Sequence, residues 1–158
     1  MRVHRDVRFS QDKRPYKTNV GIHFRHELGK DVHAPGFYLH IGLDEVFLGA
    51  GIWHPDSFSL KKIRQAIHQD PAAWKKAKGS QAFRHSFELA GDSLIRAPQG
   101  YPAEHPQIED LKRKDHLGLC RLEPDALFEP SLVKEAAAVF RAARPYVAFL
   151  CQAIGVKC

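Results

Sequence analysis

The first seventeen residues carry a high density of basic side chains around two carboxylates. The stretch MRVHRDVRFSQDKRPYK contains six basic residues and two acidic ones, which are Arg2, Arg5, Arg8, Lys13, Arg14 and Lys17 with Asp6 and Asp12. Guanidinium groups bind carboxylates and phosphates through paired, charge-assisted hydrogen bonds. This composition therefore predicts a site for an anion, in which Asp6 orients the guanidinium groups.

Strand alternation would divide these side chains between two faces of a sheet. Three apolar residues share one parity with Arg5, and they are Val3, Val7 and Phe9. The opposite parity carries only polar side chains, which are Arg2, His4, Asp6 and Arg8. Because successive strand side chains point to opposite faces, we expect Arg5 to be buried and paired with a carboxylate. Its predicted partner is Asp6, Asp12 or a carboxylate later in the chain.

Two later predicted strands carry polar residues that could join the same face. These residues are His23, Arg25, Tyr38 and His40. If the strands pair, arginines beside a tyrosine and histidines would form a platform for an oxyanion or a phosphate. The alternative is a solvated sheet face with ordinary ion pairs, each worth about 0–1 kcal/mol.

Other site chemistries have weaker support in the sequence. The spacing of His23 and His26 would place their side chains on opposite faces of a strand, and no HExxH motif occurs, so no metal site is predicted. No GxSxG motif or phosphate-binding loop is present, and no cofactor is predicted. The run Lys112-Arg113-Lys114 lies among Glu109, Asp110 and Asp115, which is typical of a solvated helix face.

The elements that must position these side chains are strands first and helices afterwards. Alternating apolar residues predict an antiparallel meander through NVGIHFR, FYLHI and VFLGAGIW, in which Gly49 and Gly51 leave a bare stripe where a backbone or ligand could approach. Helices are predicted over SFSLKKIRQAIHQ, PAAWKKAKG and IEDLKRKDH, and a strand over LGLCRLE. A long amphipathic helix follows from Ser131 to Gly155, which Pro145 should kink or split. This order indicates an α+β fold, with helices packed on an antiparallel sheet.

Composition bounds the class of protein. The chain has 158 residues, 44% of them hydrophobic, and a net charge of +6, which predicts one globular domain over residues 1–158. The sequence contains no apolar run of the ~20 residues needed to cross a bilayer, so no membrane partner is predicted. Three cysteines without a CxxC pair indicate reduced thiols in the cytoplasm. The positive charge favours an anionic partner, with nucleic acid among the possibilities.

Several motifs resemble the uncharacterised, mainly bacterial family called domain of unknown function 2461. Its marker, RxxRDxRF followed by DKxxY, is matched at Arg2, Arg5, Asp6, Arg8, Phe9, Asp12, Lys13 and Tyr16. The resemblance continues through GIWHPD, the PxGY turn, HP at His105–Pro106 and DLKRKD. The sheet face and the marker together give the predicted ligand-binding residues, which are Arg2, Arg5, Asp6, Arg8, Lys13, Tyr16, Arg25, Tyr38 and His40.

The resemblance implies no established reaction, but it does imply a longer chain. A helical segment is expected before the RxxRDxRF strand, so we expect Met1 to be an internal start or a truncation. A shorter natural variant whose gap is filled by a second copy is the alternative, and a homodimer is expected where apolar strand faces would otherwise be exposed. The leading hypothesis is a cytoplasmic protein that binds, or acts on, an anionic small molecule at this sheet face. The alternative is an interaction or nucleic-acid-binding module that uses the basic surface.

Overall fold

The computed structural model describes residues 17–24 and 34–156. These residues form a five-stranded antiparallel sheet in the order β1-β2-β3-β5-β4. The strands are β1 (Asn19–Phe24), β2 (Gly36–Gly42), β3 (Val46–Ile52), β4 (Glu88–Ala90) and β5 (His116–Leu122). The first three follow one another as the predicted meander, whereas β5 returns from the helical part to pair with β3.

The helices pack on one face of this sheet. They are α1 (Ser57–Gln69), α2 (Pro71–Gly79), α3 (Gln81–Ser86), α4 (Ile108–Lys112) and α5 (Leu132–Ile154), with a 3-10 helix at Pro124–Phe128 before α5. Side-chain capping sets the starts of the first two: Asp56 accepts hydrogen bonds from Phe58 and Ser59, and Asp70 accepts one from Ala73. The prediction of an α+β fold with a long C-terminal helix is therefore confirmed.

The core lies between the sheet and α5. Trp74 of α2 and Tyr146 of α5 are both fully buried, and their ring centroids lie 5.4 Å apart. Phe83 of α3 also packs on Tyr146, with their ring centroids 4.9 Å apart. The central strand β3 supplies Leu48, Ala50 and Ile52 to the interior. The aromatic contacts thus join α2, α3 and α5 into one layer over the sheet.

Two predicted elements differ from the observed ones. Pro145 was predicted to kink or split the C-terminal helix, and the split is contradicted because the helix is continuous from Leu132 to Ile154. The helix predicted over IEDLKRKDH ends at Lys112, because Arg113 adopts an extended conformation and the chain then enters β5. The short elements α3 and β4 were not predicted. The predicted strand Val3–Phe9 lies outside the described residues.

Two further observations concern the class of protein. Among the described residues, no helix combines the length and apolar character required to span a membrane. Cys120 is a free cysteine, whereas Cys151 is disulfide-bonded. The prediction of uniformly reduced thiols is therefore wrong for Cys151.

Candidate functional site

Two of the predicted ligand-binding residues lie side by side on β2. The Tyr38 hydroxyl oxygen is 3.2 Å from Nδ1 of His40. The ring of His23 on β1 lies 4.5 Å from Tyr38, and His40 stacks on Phe47 of β3 at 4.6 Å. The structure therefore brings His23, Tyr38 and His40 together on one sheet face, as predicted for these three.

Seven of the predicted ligand-binding residues belong to segments outside those that the structure describes. Arg2, Arg5, Asp6, Arg8, Lys13, Tyr16 and Arg25 lie outside the described residues. The pairing of Arg121 with Phe47 puts Arg121 on the same face, where its Nη1 lies 3.3 Å from Glu88 Oε2. Burial raises the pKa of Tyr38 above its ordinary value, so its hydroxyl is protonated at neutral pH. The described part of this face thus offers a phenol and imidazoles, and its arginine has a carboxylate partner.

A separate groove on the helical side carries a concentration of positive charge. It has a volume of about 1100 Å³ and lies along α2 and α3, and it reaches β4 through Leu89. Its basic lining residues are Lys75, Lys76, Lys78 and Arg84. The residues that line it on the described part of the chain include no Asp or Glu, and the others are Ala72, Gly79, Ser80, Phe83, Phe87, Leu89 and Gln107. We call this feature the basic groove.

Local sequence explains why the cations face the basic groove. Trp74 and Ala77 are buried against the core, so the neighbouring Lys75 and Lys76 of α2 are directed to solvent. Ser80 then ends α2 and caps α3 by accepting a hydrogen bond from the Phe83 amide at 3.1 Å. Phe83 is thereby turned inward, and the next residue, Arg84, is exposed on the groove side.

Lys78 differs from the other three cations because it has a buried partner. Its Nζ donates to Oδ2 of Asp110 at 2.5 Å, and Asp110 is only 4% exposed. The guanidinium Nε of Arg113 lies 3.7 Å from the other carboxylate oxygen. Lys78 and Arg113 thus neutralise a buried carboxylate, as such a charge requires. Lys75, Lys76 and Arg84 remain as the exposed cations of the basic groove.

The same contacts correct the interpretation of the run Lys112-Arg113-Lys114. Lys112 pairs with Glu109 at 2.7 Å, and Arg113 is half-buried beside Asp110 and the Ala90 carbonyl. The interpretation as a solvated helix face is therefore wrong for Arg113, which connects the end of α4 to β4, whereas Lys114 is exposed. The basic groove was missed because PAAWKKAKG was interpreted only as a helix anchored by Trp74. Its lysines at 75, 76 and 78 were the available signal.

The described residues define an α+β protein whose antiparallel sheet carries helices on one face, with a basic groove on the helical side. The chain belongs to the DUF2461 family, since the model of that family, described as a conserved hypothetical protein, matches residues 1–149. This confirms the resemblance drawn from the RxxRDxRF motif and its companions. No curated protein and no solved structure matches the chain.

Proposed function

We propose that the protein binds, or acts on, an anionic small molecule and that the basic groove is its binding site. The observation that supports this most is the lining of the groove, which on the described part of the chain has four cations and no carboxylate. Lys75, Lys76 and Arg84 are exposed there, and arginine can bind an oxyanion through two parallel hydrogen bonds. The net charge of +6 would add long-range attraction for an anion.

The sheet face around Tyr38 and His40 remains a second location for the same ligand class. It carries hydrogen-bonding groups, but its described arginine, Arg121, is paired with Glu88. The basic groove is preferred because its three exposed cations have no carboxylate within the lining. The two locations share no described residue, so variants can separate them.

Calorimetric titration with inorganic pyrophosphate tests the proposal. Lys76→Glu and Arg84→Glu should each weaken binding at least tenfold, because each replaces an attractive charge with a repulsive one. Lys134→Glu is the matched control, since it makes the same change in net charge on the exposed N-terminal part of α5. The groove cavity lies instead near Phe83, which contacts Tyr146 farther along that helix.

Each outcome has a definite meaning for the location. An equal loss in the Lys134 variant would mean that binding reflects net charge alone, which contradicts a specific site. Unchanged binding in both groove variants, with a loss in Tyr38→Phe and His40→Ala, would move the site to the sheet face. No binding of pyrophosphate, of nucleotides or of phosphorylated sugars by the unaltered protein would contradict the function itself.

Nucleic acid is the alternative anion, and salt separates it from a small ligand. Binding to B-DNA releases condensed counterions, so affinity falls steeply with salt, with a logarithmic slope of roughly −0.9 per phosphate contact. A small anion held by three cations should show a shallower dependence. A titration of a short DNA duplex between low and physiological salt would identify the alternative by its slope.

A homodimer and a cytoplasmic location remain predictions that accompany this proposal. On β1, Ile22 is 41% exposed and Phe24 is 47% exposed, and these are the side chains that a twofold interface would cover. Light scattering of the unaltered protein and of Ile22→Lys would test the dimer. Fractionation of the cells that produce the protein would test the location.

A further inference from the structure

Four side chains in the interior each carry at least one buried polar atom without a hydrogen-bond partner, although Arg113 keeps contacts with Ala90 and Asp110 through its other atoms. Fully buried atoms that lack a partner on the described part of the chain are Nε1 of Trp74, Nε of Arg113, both ring nitrogens of His116 and the hydroxyl of Tyr146. Each belongs to a different element: α2, the end of α4, β5 and α5. We call these four residues the interior polar cluster.

The members of the interior polar cluster are neighbours. The Trp74 ring lies 5.6 Å from the His116 ring, edge to face, and 5.4 Å from the Tyr146 ring. The charges of Arg113 and Asp110 act on both His116 and Tyr146. The rings of Trp74, His116 and Tyr146 therefore adjoin one another between α2, β5 and α5, within the electrostatic influence of Arg113.

Such a concentration of unpartnered groups is unusual in a native interior. Buried side-chain donors and acceptors nearly always have a partner, either in the protein or in ordered water. Leaving one unsatisfied costs its full desolvation penalty, and here the penalty would recur on adjoining side chains. A molecule that supplies the missing hydrogen bonds would remove this penalty.

The chemistry of the four side chains specifies what that molecule must be. Trp74 and Arg113 can only donate, so the occupant must accept hydrogen bonds. Burial lowers the pKa of His116 to about 3, so the ring is neutral and keeps one acceptor nitrogen to which the occupant must donate. A cation cannot accept the hydrogen bonds that Trp74 and Arg113 donate, and a simple anion cannot donate one to His116. Water both accepts and donates.

We propose that Trp74, Arg113, His116 and Tyr146 enclose an interior site whose occupant is ordered water. This site adjoins the basic groove, since Phe83 lines the groove and its ring lies 4.9 Å from Tyr146. A second connection runs through Lys78, which lines the groove and donates to Asp110 beside Arg113. The interior water thus lies behind the wall of the groove, and the inference stands whether or not the groove binds an anion.

The sign of one stability change tests the proposal. If water bonds to Tyr146, Tyr146→Phe removes a satisfied hydroxyl and should lower Tm, by roughly 2–4 °C for a chain of this size. If the site is dry, the same change removes a buried unsatisfied group and should raise Tm. Tyr101→Phe is the control, because Tyr101 is only partly buried and its substitution should leave Tm nearly unchanged. A raised Tm in Tyr146→Phe would overturn the proposal.

A high-resolution crystal structure of the unaltered protein gives an independent test that does not depend on how a variant folds. We expect density for water within ~2.7–3.2 Å of at least two of the unpartnered atoms. Absence of such density would overturn the proposal, as would density for an ion or a larger molecule at the same place.

Discussion

Asp115 binds the backbone of His54 across 61 residues of sequence. Its Oδ1 accepts from the His54 amide at 2.8 Å, while its Oδ2 accepts from the Asp92 amide at 3.0 Å. Asp115 is 2% exposed, and His54 has a left-handed backbone with φ of 46°, which costs energy for a residue with a side chain. The carboxylate therefore holds the turn after β3 and the turn after β4 against the start of β5.

The first prediction is that Asp115→Asn destabilises the fold. The amide keeps one acceptor oxygen but presents an NH₂ group to one of the two backbone donors, so one of these partly buried hydrogen bonds is lost. The expected loss is ~1–3 kcal/mol in the free energy of unfolding, measured by urea denaturation. Asp125→Asn is the control, since Asp125 is exposed. Equal stability of the two variants would show that the bridge does not hold the turns.

The second prediction concerns His116 and acid. Burial lowers its pKa from 6.5 in the unfolded chain to about 3 in the folded one. Between these values the unfolded state binds the proton and the folded state does not. The free energy of unfolding should therefore fall as the pH drops below about 6.5, and His116 contributes up to ~1.4 kcal/mol of this fall per pH unit. Above that pH, His116 should make no pH-dependent contribution.

Urea denaturation at pH 7.5 and pH 5 measures this effect. Replacement of the imidazole in His116→Met should flatten the dependence over this range, whatever its effect on stability at pH 7.5. His85→Gln serves as the control because His85 is exposed, and it should keep the dependence of the unaltered protein. An unchanged slope in His116→Met would assign the acid sensitivity to other groups.

The third prediction compares two glycines. A Cβ at Gly51 would stand 2.0 Å from the His116 carbonyl oxygen, and its φ of +124° is unfavourable for other residues. At Gly79, nothing lies within 4 Å of the corresponding position. Gly51→Ala should therefore destabilise the protein severely, whereas Gly79→Ala should be neutral or stabilising by ~0.4–1 kcal/mol. Thermal melts of both variants check this, and similar Tm values would contradict it.

Much of the sheet could be predicted because its signals are local. The alternation in NVGIHFR and FYLHI indicates β1 and β2, and the bare stripe at Gly49 and Gly51 indicates close approach of a neighbour. At Gly51 that neighbour is the backbone of His116. The three-residue β4 has no such pattern, since its pairing with β5 is a tertiary contact.

The buried charges could not be predicted for the same reason. Asp110 and Asp115 occur in the polar segment IEDLKRKDH, where neighbouring charges indicate solvent exposure. Their partners are Lys78, 32 residues away from Asp110, and the amides of His54 and Asp92. The basic groove also depends on the three-dimensional structure, because only the turn at Ser80 brings Arg84 beside the lysines of α2.

The last prediction concerns Pro145 in the middle of α5. Proline has no amide hydrogen to donate within a helix, and its ring crowds the carbonyl four residues before it, yet α5 runs uninterrupted from Leu132 to Ile154. Pro145 itself is exposed, while the next residue, Tyr146, is fully buried. The burial of Tyr146 and Leu150 therefore holds the helix together against the cost of proline. Pro145→Ala should restore the missing hydrogen bond without loss of core contacts and stabilise the protein by ~1–3 kcal/mol. Denaturant unfolding measures the gain.

Ala148→Gly, at another exposed position of the same helix, should act in the opposite direction by ~1 kcal/mol. A loss of stability in Pro145→Ala would mean that a bend at Pro145 is required for the fit of α5 against the sheet.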